Sequence, residues 1–73
     1  MPHMELVESL LIYAVGYDEG DRKLTVKFHS GPTYVYEEVP RGVYDDLLAA
    51  PSVGRFFLKE VKGVYPGKKK EAE

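Results

Sequence analysis

Along Lys23-Leu24-Thr25-Val26-Lys27-Phe28-His29-Ser30 apolar and polar residues alternate, the period of a β-strand with one face on a core and the other in water. Leu24, Val26 and Phe28 then point inward, and Lys23, Thr25, Lys27 and His29 point outward. Ahead of it, Leu10 to Tyr17 is rich in β-branched and aromatic residues and is closed by Asp18-Glu19-Gly20-Asp21. That predicts a strand followed by a hairpin turn. Its inward positions, Ile12, Val15 and Tyr17, step unevenly, which implies a bulge or burial of both faces near Ala14 and Gly16. After the turn Ser30-Gly31-Pro32, Thr33 to Glu38 predicts a third strand. Tyr34 and Tyr36 share one of its faces and Thr33, Val35 and Glu37 the other.

The period then changes. Pro40 suits the first turn of a helix, where its missing N–H costs nothing, and Val43, Tyr44, Leu47 and Leu48 recur at helical spacing until Pro51. Ser52 is a good N-cap for a second helix, with Val53, Phe57, Val61 and Val64 along one side and Phe56 flanking it. Gly63 and Pro66-Gly67 end that helix. The predicted fold class is α+β: a three-stranded antiparallel β-meander followed by two α-helices packed on one face, in the order β-β-β-α-α. Residues 9–66 form the single domain, 1–8 a flexible N-terminus and 67–73 a charged C-terminal tail.

Size and composition narrow the function. A chain of 73 residues makes one domain, whose core leaves roughly 3–5 kcal/mol of net stability, so self-association would help it. Hydrophobic content of 44% and charged content of 30% are those of an ordinary folded protein. The absence of cysteine excludes disulfides and thiolate metal sites. The longest apolar run, Leu10 to Val15, is far below the roughly 20 residues of a membrane helix, and no basic-then-apolar leader opens the chain. A cytoplasmic location without membrane contact is the expectation. The net charge is −2, and Lys68 to Glu73 hold three lysines against two glutamates, which leaves −3 on residues 1–67. A mildly acidic body counts against nucleic-acid binding by bulk charge but leaves room for a local basic stripe.

Catalytic chemistry has little material. His29 is alone on an outward strand face, without the nucleophile and orienting group that catalysis by a base requires; His3 falls in a terminal segment given no functional weight. Adjacent carboxylates at Glu37-Glu38 and Asp45-Asp46 diverge in strand or helix, and Asp45 and Asp46 are read as complements to the positive end of the first helix. Asp18-Glu19-Gly20-Asp21 lacks the remaining ligands of a calcium loop, and Gly67-Lys68 lacks the earlier glycine of a phosphate loop. The expectation is no enzyme, no catalytic residue, no metal and no cofactor.

Several of these pieces form an ordered series: Val15-Gly16-Tyr17-Asp18, Tyr34-Val35-Tyr36, Val39-Pro40 with Val43-Tyr44, and Ser52-x-Gly54-x-Phe56-Phe57 with Tyr65. Taken together they resemble the KTSC domain, a small family named after the C-terminal region of some lysyl-tRNA synthetases. The resemblance spans roughly Ser9 to Pro66 and implies the stand-alone form. It carries no synthetase activity and no established reaction, and RNA binding has been suggested for such domains without a mechanism.

Binding chemistry is better represented, with six tyrosines and three phenylalanines. Tyr34 and Tyr36 either lie under the helices with their hydroxyls at the sheet rim, leaving Thr33 and Val35 on the open face, or stack unpaired bases from an exposed face. Arg55, Lys59 and Lys62 fall at i, i+4 and i+7, opposite the apolar side of the second helix and clear of Glu60. They form either a solvated face or, with Lys68 to Lys70, a stripe that follows phosphates. The expected function is a non-catalytic module binding RNA or a nucleotide through Arg55, Lys59 and Lys62, with Tyr34 or Tyr36 stacking on a base. The alternative is a protein-protein or self-assembly module that pairs through the open sheet face or the third strand's edge.

Overall fold

The computed structural model describes residues 4–70. The chain runs β1 (Met4–Leu6), β2 (Ile12–Asp18), β3 (Lys23–Phe28), β4 (Thr33–Tyr36), α1 (Arg41–Ala49), α2 (Val53–Glu60) and β5 (Gly67–Lys69). The strands form one antiparallel sheet in the order β1-β2-β3-β4-β5. The α+β class and the central meander match the sequence reading, but the sheet has five strands rather than three. The two additional strands lie in the segments read as flexible N-terminus and charged tail. Each has only three residues; β5 is exposed throughout and β1 mostly so. Backbone pairing holds them, and it leaves no periodic apolar signal.

Register decides which side chains meet the helices. Tyr17 faces Leu24 and Leu24 faces Tyr36; Val15 faces Val26 and Val26 faces Tyr34; Ile12 faces Phe28. That row belongs to the face under the helices, where Ile12, Val15, Leu24 and Val26 are fully buried with Leu47, Phe57 and Val61. The pairing shifts between Ile12 and Ala14, the bulge that the uneven spacing implied. Ala14, Gly16, Thr25, Lys27, Thr33 and Val35 consequently line the opposite, open face.

Pro40 takes the N-cap position, one residue before the helical turn in which the sequence places it, and Ala50 is extended (φ −68°, ψ 141°), the conformation favoured before a proline. Tyr44 and Leu47 are buried, whereas Leu48, predicted to face inward, is exposed. The Ser52 hydroxyl accepts from the Arg55 N–H at 3.3 Å and caps α2. Helix α2 ends earlier than the spacing predicts. The N–H groups of Val61 and Lys62 both donate to the Phe57 carbonyl, at 3.0 and 2.9 Å, and Gly63 turns the chain at φ +80°. Val64, predicted to lie on the buried side, is therefore exposed, and Tyr65 packs against the core instead.

The hairpin end of the sheet is latched to α1. The Tyr17 hydroxyl donates to the Val39 carbonyl, the Tyr17 and Tyr44 rings stack at 5.3 Å, and Arg41 lies 5.9 Å from each ring centroid. Asp45, expected to complement the start of the helix, instead accepts from Arg41 at 3.1 Å, beside Glu19 at 3.2 Å. These exposed pairs add little stability. Burial pushes the Tyr44 phenol pKa above its ordinary value.

Glu38 leads into α1 in the left-handed region, at φ +60°, with its side chain exposed. That conformation costs a non-glycine residue about 1–2 kcal/mol, against about 0.5–1 for the freedom glycine loses on folding. Glu38→Gly is therefore expected to raise stability by about 0.5–1 kcal/mol. A higher urea midpoint at unchanged slope is the expected reading, and a lower midpoint would show that the glutamate side chain holds this turn.

Candidate ligand cleft

At the end of the sheet away from the latch, α2 does not cover the aromatic residues of β3 and β4 completely. The gap is a cleft of about 200 Å³ lined by Leu11, Phe28, Tyr34, Tyr36, Phe57, Leu58 and Lys62. Its walls are rings set edge to face: Phe28 meets Tyr34 at 5.7 Å and Phe57 at 5.4 Å, and Tyr36 meets Phe57 at 5.4 Å. Tyr34 and Tyr36 lie near-parallel, 6.3 Å apart. Burial first and Tyr34 second raise the Tyr36 phenol pKa, so it is a neutral hydrogen-bonding group at physiological pH.

Sequence and geometry produce this together. Alternation puts Phe28, Tyr34 and Tyr36 on one sheet face, and the close of α2 at Glu60 turns Lys62 away from Arg55 and Lys59 onto the rim. Register adds a second cation, because Lys69 pairs with Tyr34 on the same face. Lys69 was read as part of the tail that could extend the α2 stripe, not as a neighbour of Tyr34. Phe28, Phe57 and Leu11 were read as core or strand residues; the signal that could have marked them is the shared face of Phe28 and Tyr34.

The predicted site residues are thus divided between two places. Tyr34, Tyr36 and Lys62 meet at the cleft, while Arg55 and Lys59 border an open groove with Ser52, Phe56 and Glu60. Leu58 touches both. The continuous Arg55-Lys59-Lys62 stripe does not form, because Lys62 is outside the helix, and Glu60 lies in the groove instead of clear of it. An aromatic pair displayed on the open face does not form either: Tyr36 is 6% exposed beneath α2 and Tyr34 is half-buried. The third strand's edge is occupied by β5, which closes the edge-pairing route through β4.

His29 is exposed, with Nε2 at 2.8 Å from the Ser9 carbonyl, which holds the loop leading to Leu11. Among the described residues no three of histidine, aspartate and glutamate converge on a metal position, and no helix is long and apolar enough to cross a membrane. In chemical terms the cleft can take one flat or apolar group, with a cation outside to meet an anion. At about 200 Å³ it is smaller than the roughly 300–1,000 Å³ of pockets that enclose whole drug-sized ligands.

The same chain pattern recurs in known proteins. The family model described as KTSC domain matches residues 8–65. A protein of Tsukamurella paurometabola is 55% identical over 59 residues, which is 81% of this chain and 88% of that one. A lysine–tRNA ligase of Nostoc punctiforme is 40% identical over 58 residues, 80% of this chain but 10% of the ligase. The crystal structure of a KTSC domain protein from Yersinia pestis superposes with a TM-score of 0.91 at 33% identity, over 97% of this chain and all of the other.

Proposed function

We propose that this chain, which belongs to the KTSC domain family, is a small non-catalytic module that binds a nucleotide unit, free or within single-stranded RNA. One observation carries the reading: an aromatic cleft sized for a single ring, with Lys62 on its rim and Lys69 on the same face. A base in the cleft would contact Phe28 and Tyr34, which Phe57 backs from beneath, and its phosphate would remain outside near the two lysines. Base–aromatic stacking is worth about 1–3 kcal/mol per base, and the lysines add a salt-dependent attraction. The likeness to part of a lysine–tRNA ligase supports RNA as the source, since a domain joined to an enzyme of that name works beside tRNA.

The test is an NMR titration of the protein with uridine and adenosine monophosphates. Saturable shifts at Leu11, Phe28, Leu58 and Lys62 are expected, and Lys62→Gln, an exposed change, should weaken binding about tenfold. Absence of saturable shifts at the cleft up to about 10 mM, the non-specific limit being roughly 0.1 mM for longer nucleic acids, would remove the reading. A second reading rests on the exposed Leu11 and Leu58 that line the cleft: the ring-sized space would take an apolar side chain of a protein partner. Salt separates the two, because nucleotide binding weakens as salt rises and an apolar contact does not.

A further inference from the structure

β5 is the sheet's outer strand on the cleft side, and its lysines divide between the two faces of the sheet. Lys69 pairs with Tyr34 on the cleft face, while Lys68 pairs with Val35 on the open face and Lys70, two residues on, shares Lys68's side. The Lys70 N–H donates to the Thr33 carbonyl at 2.7 Å, so the pairing continues to the end of the described chain. Thr33 in turn faces Lys27 of β3, whose ammonium lies 5.7 Å from the centre of the half-exposed Tyr13 ring.

The open face is thereby split by charge. Lys27, Lys68 and Lys70 gather around Thr33 and Val35 with His29 and Tyr13 at the same end, whereas Asp18, Lys23 and Glu37 occupy the hairpin end. Between them the face shows the half-buried Thr25 and Val35, with Ala14 and Gly16 buried and the exposed Leu6 paired with Ala14 at its far edge. Three like charges gathered at one end of this face repel a second copy of themselves and attract an extended polyanion. A strand's rise of about 3.4 Å per residue places Lys68 and Lys70 about 7 Å apart along β5, a ladder suited to successive phosphates.

From this we infer that the open sheet face is a second nucleic-acid surface: a single-stranded RNA segment crosses the β5 edge, with phosphates on Lys68, Lys70 and Lys27. Tyr13 is the flat side chain available to a base there. The inference extends the proposed function, since the same strand would leave its end base in the cleft and pass Lys69 on the way round the edge. Lys62 and Lys69 serve the cleft end, and Lys68, Lys70 and Lys27 the path beyond it.

The experiment compares uridine monophosphate with octauridylate on the wild type and on the triple variant Lys27→Gln, Lys68→Gln, Lys70→Gln, all exposed positions. Octauridylate should bind the wild type far better than the monophosphate does. The triple variant should lose about a hundredfold in octauridylate affinity near 0.1 M salt, with the slope of log affinity against log salt falling by about 2, while monophosphate binding is unchanged. Equal binding of monomer and octamer by the wild type, or an octamer affinity unaffected by the triple change, overturns the inference and leaves the cleft intact. Octamer binding that depends on the three lysines but not on Lys62 upholds this surface and removes the cleft. No binding of either ligand removes both.

Discussion

Phe57→Ala is expected to lower the stability of the domain by about 3–5 kcal/mol, enough to leave it largely unfolded at room temperature. Phe57 is 1% exposed and is the largest fully buried side chain. Its ring meets Phe28 and Tyr36 edge-on at 5.4 Å each, so one truncation removes the contact between α2 and two strands at once. Stability in a chain of this size is roughly the same few kcal/mol, which makes the loss decisive. Urea or thermal unfolding followed by circular dichroism measures it, and a cost below about 1 kcal/mol would show that α2 is held mainly by Val53 and Val61. Phe57→Leu separates fold from ligand: it keeps most of the volume, so the domain should fold at a cost under about 2 kcal/mol. It should lose the part of nucleotide binding that depends on Phe57 holding the Phe28 and Tyr36 rings in place.

The second large effect concerns Gly67. A Cβ at this position would lie 2.3 Å from Cε1 and 2.5 Å from Cδ1 of Tyr36. The ring cannot withdraw, because it is buried against Tyr34 and Phe57; the backbone of β5 must lift instead. Gly67→Ala is expected to cost about 1–3 kcal/mol and to release β5 selectively. Hydrogen exchange should show lost protection at the Lys70 N–H, which donates to Thr33, and at the Glu37 N–H, which donates to Pro66. Octauridylate affinity should fall with it, as Lys68 and Lys69 lose their register. The same change at Gly42, inside α1 with nothing within 4 Å of the added carbon, should stabilise by up to about 1 kcal/mol through helix propensity. Unchanged exchange at Lys70 in Gly67→Ala would contradict the close packing of β5 on Tyr36.

Much of this architecture was readable because it follows from period. β3 alternates and buries Leu24 and Val26; Ser52 caps α2; Pro51 closes α1; and the irregular spacing from Ile12 to Val15 marks a real bulge. Such features are local, each set by the preference of a few residues for one backbone shape and one buried face. The cleft was half legible. Tyr34 and Tyr36 were singled out correctly as a pair on one face, but the choice of face depends on which side of the sheet the helices cover, and that is not written in β4.

Lys62 shows where local reading stops. Helical spacing aligns it with Arg55 and Lys59, yet α2 gives way after Glu60 to a turn through Gly63, and two residues beyond the helix the same lysine faces another site. Leu48 and Val64 left their predicted sides for related reasons, the limited width of the buried face and the early end of the helix.

By itself, then, the sequence determined the α+β class, the central meander, the two helices and the family. Each depends on side-chain period, proline, glycine and capping residues acting within a few positions. Only the tertiary structure decided the outer strands, the cleft and the division of lysines between the two faces of β5. Those depend on backbone pairing between segments at opposite ends of the chain, Met4–Leu6 on β2 and Gly67–Lys69 on β4. Pairing of that kind uses N–H and C=O groups that every residue carries, so it imposes almost no pattern on side chains, and a lysine-rich edge strand reads in sequence as a solvated tail.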